Sequence, residues 1–100
     1  MLVEIQVLPT PSGTDTDRYR HVDEAIARIA ASDVRYEVGA LGTTLEGTAD
    51  ELWTVLRAAH EAALASGADQ VITVIKIAER TTDDPGLTID GLTARHRAAS

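Results

Sequence analysis

The sequence predicts a single α+β domain in which four strands and two helices follow one another as strand, helix, strand, strand, helix, strand. Three observations carry this expectation. Short stretches of alternating polarity open the chain and return in its middle. Two longer stretches repeat their apolar residues at helical spacing. The chain has 100 residues, 44% of them apolar, so it can bury one hydrophobic core and not two.

Residues Leu2 to Leu8 alternate, with Val3, Ile5 and Val7 on one face and Leu2, Glu4, Gln6 and Leu8 on the other. That is a half-buried strand, stopped by Pro9, Pro11, Ser12 and Gly13. Thr14-Asp15-Thr16-Asp17 supplies helix-start chemistry, with Thr14 or Asp15 as the cap. A helix of about 16 residues is expected to follow, with Val22, Ala25, Ile26, Ile29 and Ala30 as its core stripe. Val34 to Val38 alternates as a second strand, Gly39 and Gly42 bracket a bend, and Thr43 to Glu46 forms a third strand antiparallel to it. Thr48-Ala49-Asp50-Glu51 is a capping box. It opens a second helix over Ala49 to Ser66, with Leu52, Val55, Leu56, Ala59 and Ala63 facing inward and Gly67 as a left-handed stop. Gln70 to Ile77 is a β-branched run that reads as a central strand covered on both faces. Glu79 to Gly86 reads as a loop. Leu87 to Arg97 reads as a short helix against which Gly91 counts, and Ala98-Ala99-Ser100 as a frayed end. Residues 1–80 are thus expected to form the ligand-binding domain and 81–100 a tail.

Right-handed crossovers fold this order into a four-stranded antiparallel sheet with both helices on one face, the ferredoxin-like arrangement. The other face carries Glu4, Gln6, Glu37 and Lys76 among apolar neighbours. A mixed surface of that kind calls for a ligand, a second subunit or both.

Composition removes several functions. The net charge is -7, from 16 acidic and 9 basic residues, and there is no basic run. Nucleic acid and anionic membrane are therefore poor partners. Cysteine is absent, which excludes a disulfide framework, a thiolate nucleophile and a cysteine zinc site. No apolar stretch approaches the roughly 20 residues of a membrane span, and the opening residues lack the pattern of a signal peptide. A cytoplasmic protein is expected. The three histidines have no metal-ligand spacing, and no metal or cofactor is expected.

An ordered series of segments then carries a resemblance. Glu4-Ile5-Gln6-Val7-Leu8-Pro9, Tyr36-Glu37-Val38-Gly39, Gly42-Thr43-Thr44-Leu45-Glu46-Gly47, Ala59-His60-Glu61, Gly67-Ala68-Asp69 and Val71 to Ile77 follow one another over about Leu2 to Arg80. In this the chain resembles the small thiamine-binding, YkoF/MTH1187-like family. The resemblance implies a ferredoxin-like fold, homodimers or homotetramers, and a pocket for thiamine or its hydroxymethylpyrimidine part. The chain departs from the family pattern after Lys76, with Ala78-Glu79-Arg80 where an acidic pair often precedes the arginine, and in a tail that contains Gly91.

A thiamine-like ligand carries a cationic thiazolium, a flat aminopyrimidine and a hydroxyethyl arm. Its site needs a carboxylate near the cation, hydrogen-bonding groups for the ring edge and a flat or apolar wall. Glu37 is the first candidate, beside Glu4 and Gln6 on the open sheet face. The plainer reading is a solvated strand carboxylate. Glu46, just before Gly47, is a second carboxylate, with a surface ion pair as its alternative. Thr43 and Thr44 follow the Gly42 bend, where hydroxyls and amides can meet a ring edge. Lys76 is the lone charge of an apolar strand and is expected to pair with Glu4 or Glu37 or to reach for water. His60 shares a helical line with Trp53, Arg57 and Leu64, and reads as a packing or interface histidine because no Ser or Asp supports a triad. Tyr36 and Trp53 are scarce aromatics that could stack on a ring, Trp53 reading first as a core or subunit-contact residue. His21 and His96 read as exposed. The leading function is binding of a small cationic organic ligand without chemistry. The alternatives are a structural or regulatory module that assembles through the open face and, last, a small ferredoxin-like enzyme.

Overall fold

The computed structural model describes residues 1–82 and 85–97. It contains β1 (Leu2–Thr10), α1 (Arg20–Ala30), β2 (Arg35–Val38), β3 (Thr43–Glu46), α2 (Ala49–Ala65), β4 (Gln70–Ala78) and α3 (Ile89–Arg97). The sheet is antiparallel in the order β2-β3-β1-β4. This is the expected ferredoxin-like fold. The fraying expected for Ala98-Ala99-Ser100, and Asp83 and Asp84 of the expected loop, fall outside the described residues.

Alternation along β1 decides the layers. Val3 and Ile5 turn to the helices and are buried with Leu45 of β3, Ala25 and Ile29 of α1, and Leu52, Leu56, Ala59 and Ala63 of α2. Each large aliphatic side chain taken out of water there contributes about 1.5–3 kcal/mol. The capping box forms as read: Thr48 Oγ1 accepts from the Glu51 amide and Glu51 Oε1 accepts from the Thr48 amide. Gly67, at φ +115°, ends α2 in a conformation that few other residues adopt.

Four expectations need correction. First, α1 begins at Arg20, not near Thr14, and spans 11 residues. Thr14 to Asp17 makes a turn instead, with the Thr14 amide donating to the Asp17 carbonyl and Thr14 Oγ1 accepting from the Asp17 amide. Ser, Thr and Asp satisfy turns and helix ends by the same hydrogen bonds, so composition did not separate the two. Second, β4 is an edge strand, bonded only to β1, and Ile72, Val74, Ile75 and Ile77 stay exposed. Third, His21 is only 3% exposed. It lies one turn before Ala25 on the inner face of α1, and its Nδ1 is 2.6 Å from Ser66 Oγ, which joins α1 to the end of α2. Fourth, α3 forms in spite of Gly91 and packs on the sheet face opposite α1 and α2, contacting β3. Gly91 lets α3 sit close against the turn before it: a Cβ there would collide with the Gly86 carbonyl oxygen.

Candidate functional site

The strand register gathers the site. Glu37 lies opposite Thr44, Thr44 opposite Glu4, and Glu4 opposite Lys76. Directly paired residues share a face, so these four form one row across the sheet on the side away from α1 and α2. Glu37, Thr44 and Glu4 line a cavity of about 510 Å³ whose remaining walls are Leu2, the 39–42 bend and Ile89, Leu92 and Thr93 of α3. The Gly39 amide donates to the Gly42 carbonyl at 2.8 Å and closes the bend. A Cβ on Gly42 would sit 3.3 Å from Cγ and Cδ of Glu4. Glycine there leaves the flank of that carboxylate open.

Charged residues fasten α3 over this row. Arg35 on β2 donates to both oxygens of Asp90, at 2.6 and 3.0 Å. Arg97 donates to Asp90 Oδ1 at 2.5 Å and to Glu37 Oε2 at 3.4 Å. The hydrogen bonds from Arg35 and then Arg97 hold the Asp90 carboxyl below its ordinary value, and the same bond to Asp90 raises Arg35. These groups are about half exposed, so their value lies in orienting α3 more than in stability. Ile89, buried at the start of α3, supplies the apolar anchor.

The candidates divide accordingly. Glu4, Glu37 and Thr44 come together in the cavity wall. Lys76 completes the row, with Nζ 3.7 Å from Glu4 Oε1. Glu46 is on the same face but serves the roof: its Oε1 accepts from the Ile89 amide at 3.1 Å and lies 3.6 Å from Arg35 Nε. Gln6 is one row further along, opposite Val74, and is not part of the cavity wall. Thr43 points to the other side. It is paired with Ile5 and Val38, is 5% exposed, and is parted from Thr44 by the strand alternation itself. Tyr36, opposite Leu45, is also on the helix side. Trp53 is 53% exposed, so its core reading is corrected. His60 Nδ1 meets Thr73 Oγ1 at 2.5 Å and ties α2 to β4, away from the cavity. Ile89, Leu92 and Thr93 lie outside the residues that the sequence points to, although they have the spacing of one helix face. Among the described residues no group of His, Asp and Glu could hold a metal ion, and no helix is long and apolar enough to cross a membrane.

Comparison with known proteins adds a decisive match. A family model described as thiamine-binding protein matches residues 3–96. The chain belongs to the thiamine-binding protein family. A UPF0045 protein of Methanothermobacter thermautotrophicus is 38% identical over 88 residues, covering 86% of this chain and 89% of the relative. Another, from Clostridium perfringens, is 34% identical over 95 residues, covering 95% of each. Among solved structures, a DUF77 domain of unknown function from Bacillus cereus superposes with a TM-score of 0.80 at 40% identity, covering 98% of this chain and 92% of that one. A candidate thiamine biosynthesis/salvage protein of Thermotoga maritima gives 0.78 at 25% identity, covering 96% and 97%. The family match runs over residues 3–96 and so takes in all but the last residue of α3, the helix that roofs the cavity.

Proposed function

We propose that this member of the thiamine-binding protein family binds thiamine, or a related hydroxymethylpyrimidine-type molecule, in the cavity beneath α3, as a cytoplasmic carrier or sensor that performs no chemistry on it. The observation that carries this reading is the row in which Thr44 stands between two carboxylates, Glu37 and Glu4, under an apolar roof. A thiazolium would replace Arg97 beside Glu37 or Lys76 beside Glu4, both of which make exposed contacts that are cheap to break. Leu2, Leu41 and Leu92 offer apolar surface to a flat ring. Titration calorimetry with thiamine is the test. Saturable heat with one site per chain, a higher melting temperature and unchanged thiamine at the end are expected. No heat and no melting shift at millimolar thiamine would remove the reading.

A homodimer or homotetramer belongs to the same proposal. β4 is a nine-residue edge whose Ile72, Val74, Ile75 and Ile77 are exposed, guarded by Lys76 alone among charges. Long apolar edges of this kind are normally covered. Trp53 and Leu64 of α2 extend the exposed apolar surface. Sedimentation equilibrium should give a dimer or tetramer, and Ile75→Asp should shift it toward monomer; a wild-type monomer at high micromolar concentration would defeat the assembly reading.

A further inference from the structure

The chain contains nine aspartates and no asparagine, and of the nine only Asp90 is followed by glycine. Among aspartyl peptides Asp–Gly cyclises most readily, because glycine has no side chain to shield its nitrogen from the carboxyl group before it. Packing nevertheless demands glycine at 91, since a Cβ there would collide with the Gly86 carbonyl oxygen. The helix that roofs the acidic row is thus built on a labile peptide bond.

Cyclisation needs a neutral carboxyl group, whose hydroxyl can leave as water. It needs a Gly91 nitrogen able to give up its proton, and a backbone rotated so that this nitrogen reaches Cγ of Asp90. The docked helix withholds all three. Arg35 donates to both oxygens of Asp90, at 2.6 and 3.0 Å, and Arg97 donates to Oδ1. The hydrogen bond from Arg35, then that from Arg97, holds the carboxyl below its ordinary value, so its neutral form is scarce. The Gly91 amide donates to Thr88 Oγ1 at 2.9 Å, and the Leu92 amide donates to the Thr88 carbonyl at 3.2 Å. These bonds keep Asp90 and Gly91 in the first turn of α3, at a helical ψ far from the one a five-membered ring requires.

The restraint is local. The ion pairs of Asp90 are about half exposed, and pairs of that kind are individually weak. Of α3 only Ile89 is buried, and the core cluster lies between the sheet and the other two helices. The helix can therefore lift off while the rest of the fold stands.

We propose that Asp90–Gly91 is a site of spontaneous aspartate isomerisation gated by α3: it is shut while the helix is docked, and it reacts when the helix lifts off, after which α3 cannot redock. In the undocked chain the Gly91 nitrogen attacks Cγ of Asp90. The new C–N bond closes a succinimide, and the amide proton leaves with the carboxyl hydroxyl as water. Water then adds to one of the two ring carbonyl carbons. Addition at Cγ restores aspartate. Addition at the main-chain carbonyl carbon breaks its bond to nitrogen and gives isoaspartate. One water is lost and one is gained, and nothing is oxidised or reduced. In the product the main chain runs through Cβ and Cγ, one carbon longer, and the free carboxylate sits on Cα. The first turn of α3 loses its hydrogen-bond register, and the fork of Arg35 no longer meets a side-chain carboxylate. The row Glu37, Thr44, Glu4 is then permanently uncovered, whatever ligand it takes.

The test is peptide mapping of the full chain after incubation in warm, mildly acidic buffer, once native and once unfolded in guanidinium. Trypsin releases residues 81–95 between Arg80 and Arg95. Chromatography separates the aspartyl and isoaspartyl forms, which have equal mass, and electron-transfer fragmentation assigns the change to residue 90. The native chain should convert at least about tenfold more slowly than the unfolded chain, as expected of a reaction that waits on local opening. Arg35→Gln should speed the native chain about threefold to fivefold, the effect of one exposed ion pair, with hydrogen exchange in α2 unchanged. Asp90→Glu, whose ring would have six members, should give no isomer at residue 90. Hydrogen exchange read separately on the two forms in an aged sample should find α3 unprotected in the isoaspartyl form alone. Equal rates in native and unfolded chain, no isomer at residue 90 in either, no acceleration by Arg35→Gln, or an isoaspartyl form whose α3 stays protected would each overturn the proposal.

Discussion

A chain carrying both Glu4→Gln and Glu37→Gln should bind thiamine about ten- to a hundredfold more weakly than the parent. Both substitutions keep the shape of the side chain and remove only its charge. Neither residue is buried, and their protein partners, Lys76 and Arg97, are themselves exposed, so the fold should hardly register the change. A cationic ligand in this cavity should register it strongly, because the two carboxylates flank Thr44 in one row beneath an apolar roof. The single variants should fall between parent and double variant. Added salt should weaken the parent more than the double variant, since screening acts on charges that remain. Calorimetry on the four proteins at two salt concentrations gives the answer. Equal affinity across the series would move the cation away from this row.

Leu45→Ala should cost about 2–5 kcal/mol of folding stability. Leu45 is fully buried at the centre of the row Tyr36, Leu45, Val3, Ile77, where β3 meets the helix layer. The cavity left behind would be walled by strands and helices that cannot close on it freely. Domains of this size hold about 5–15 kcal/mol in all, so the loss is a large share. Leu41→Ala, at a side chain 83% exposed on the bend, should change stability by less than about 0.5 kcal/mol. Urea unfolding of both proteins checks the contrast. A Leu45→Ala loss no greater than that of Leu41→Ala would mean the core lies elsewhere.

The parts of this structure that were legible in the sequence are those set by short-range rules. The alternation in β1 gave its two faces, the capping box gave the start of α2, and Gly67 gave its end. The same rule also bears on the site. Strand alternation separates Thr43 from Thr44, so a single pocket could not hold both, and the sequence already contained that fact. His21 could have been found too, since it precedes Ala25 and Ile29 at intervals of four; its polarity hid it. The placement of β4 was not legible. An unbroken β-branched run suits a strand covered on both faces, and an apolar edge awaiting a partner has the same composition. The roof was least legible of all. It depends on Arg35 meeting Asp90 and on Arg97 meeting Glu37, pairings that link distant segments and leave no local pattern.

That last feature has a consequence for the order of events in folding. The Glu46 link to Ile89 spans 43 residues, the Arg35 link to Asp90 spans 55 and the Arg97 link to Glu37 spans 60. Contacts so far apart in the chain carry the cost of closing long loops, and they are rewarded only once the strands that bear one partner are in place. The sheet must therefore assemble before α3 has anywhere to land. During synthesis α3 also leaves the ribosome after the four strands of this sheet have emerged, so a nascent chain should show its acidic row to the surrounding medium until α3 arrives.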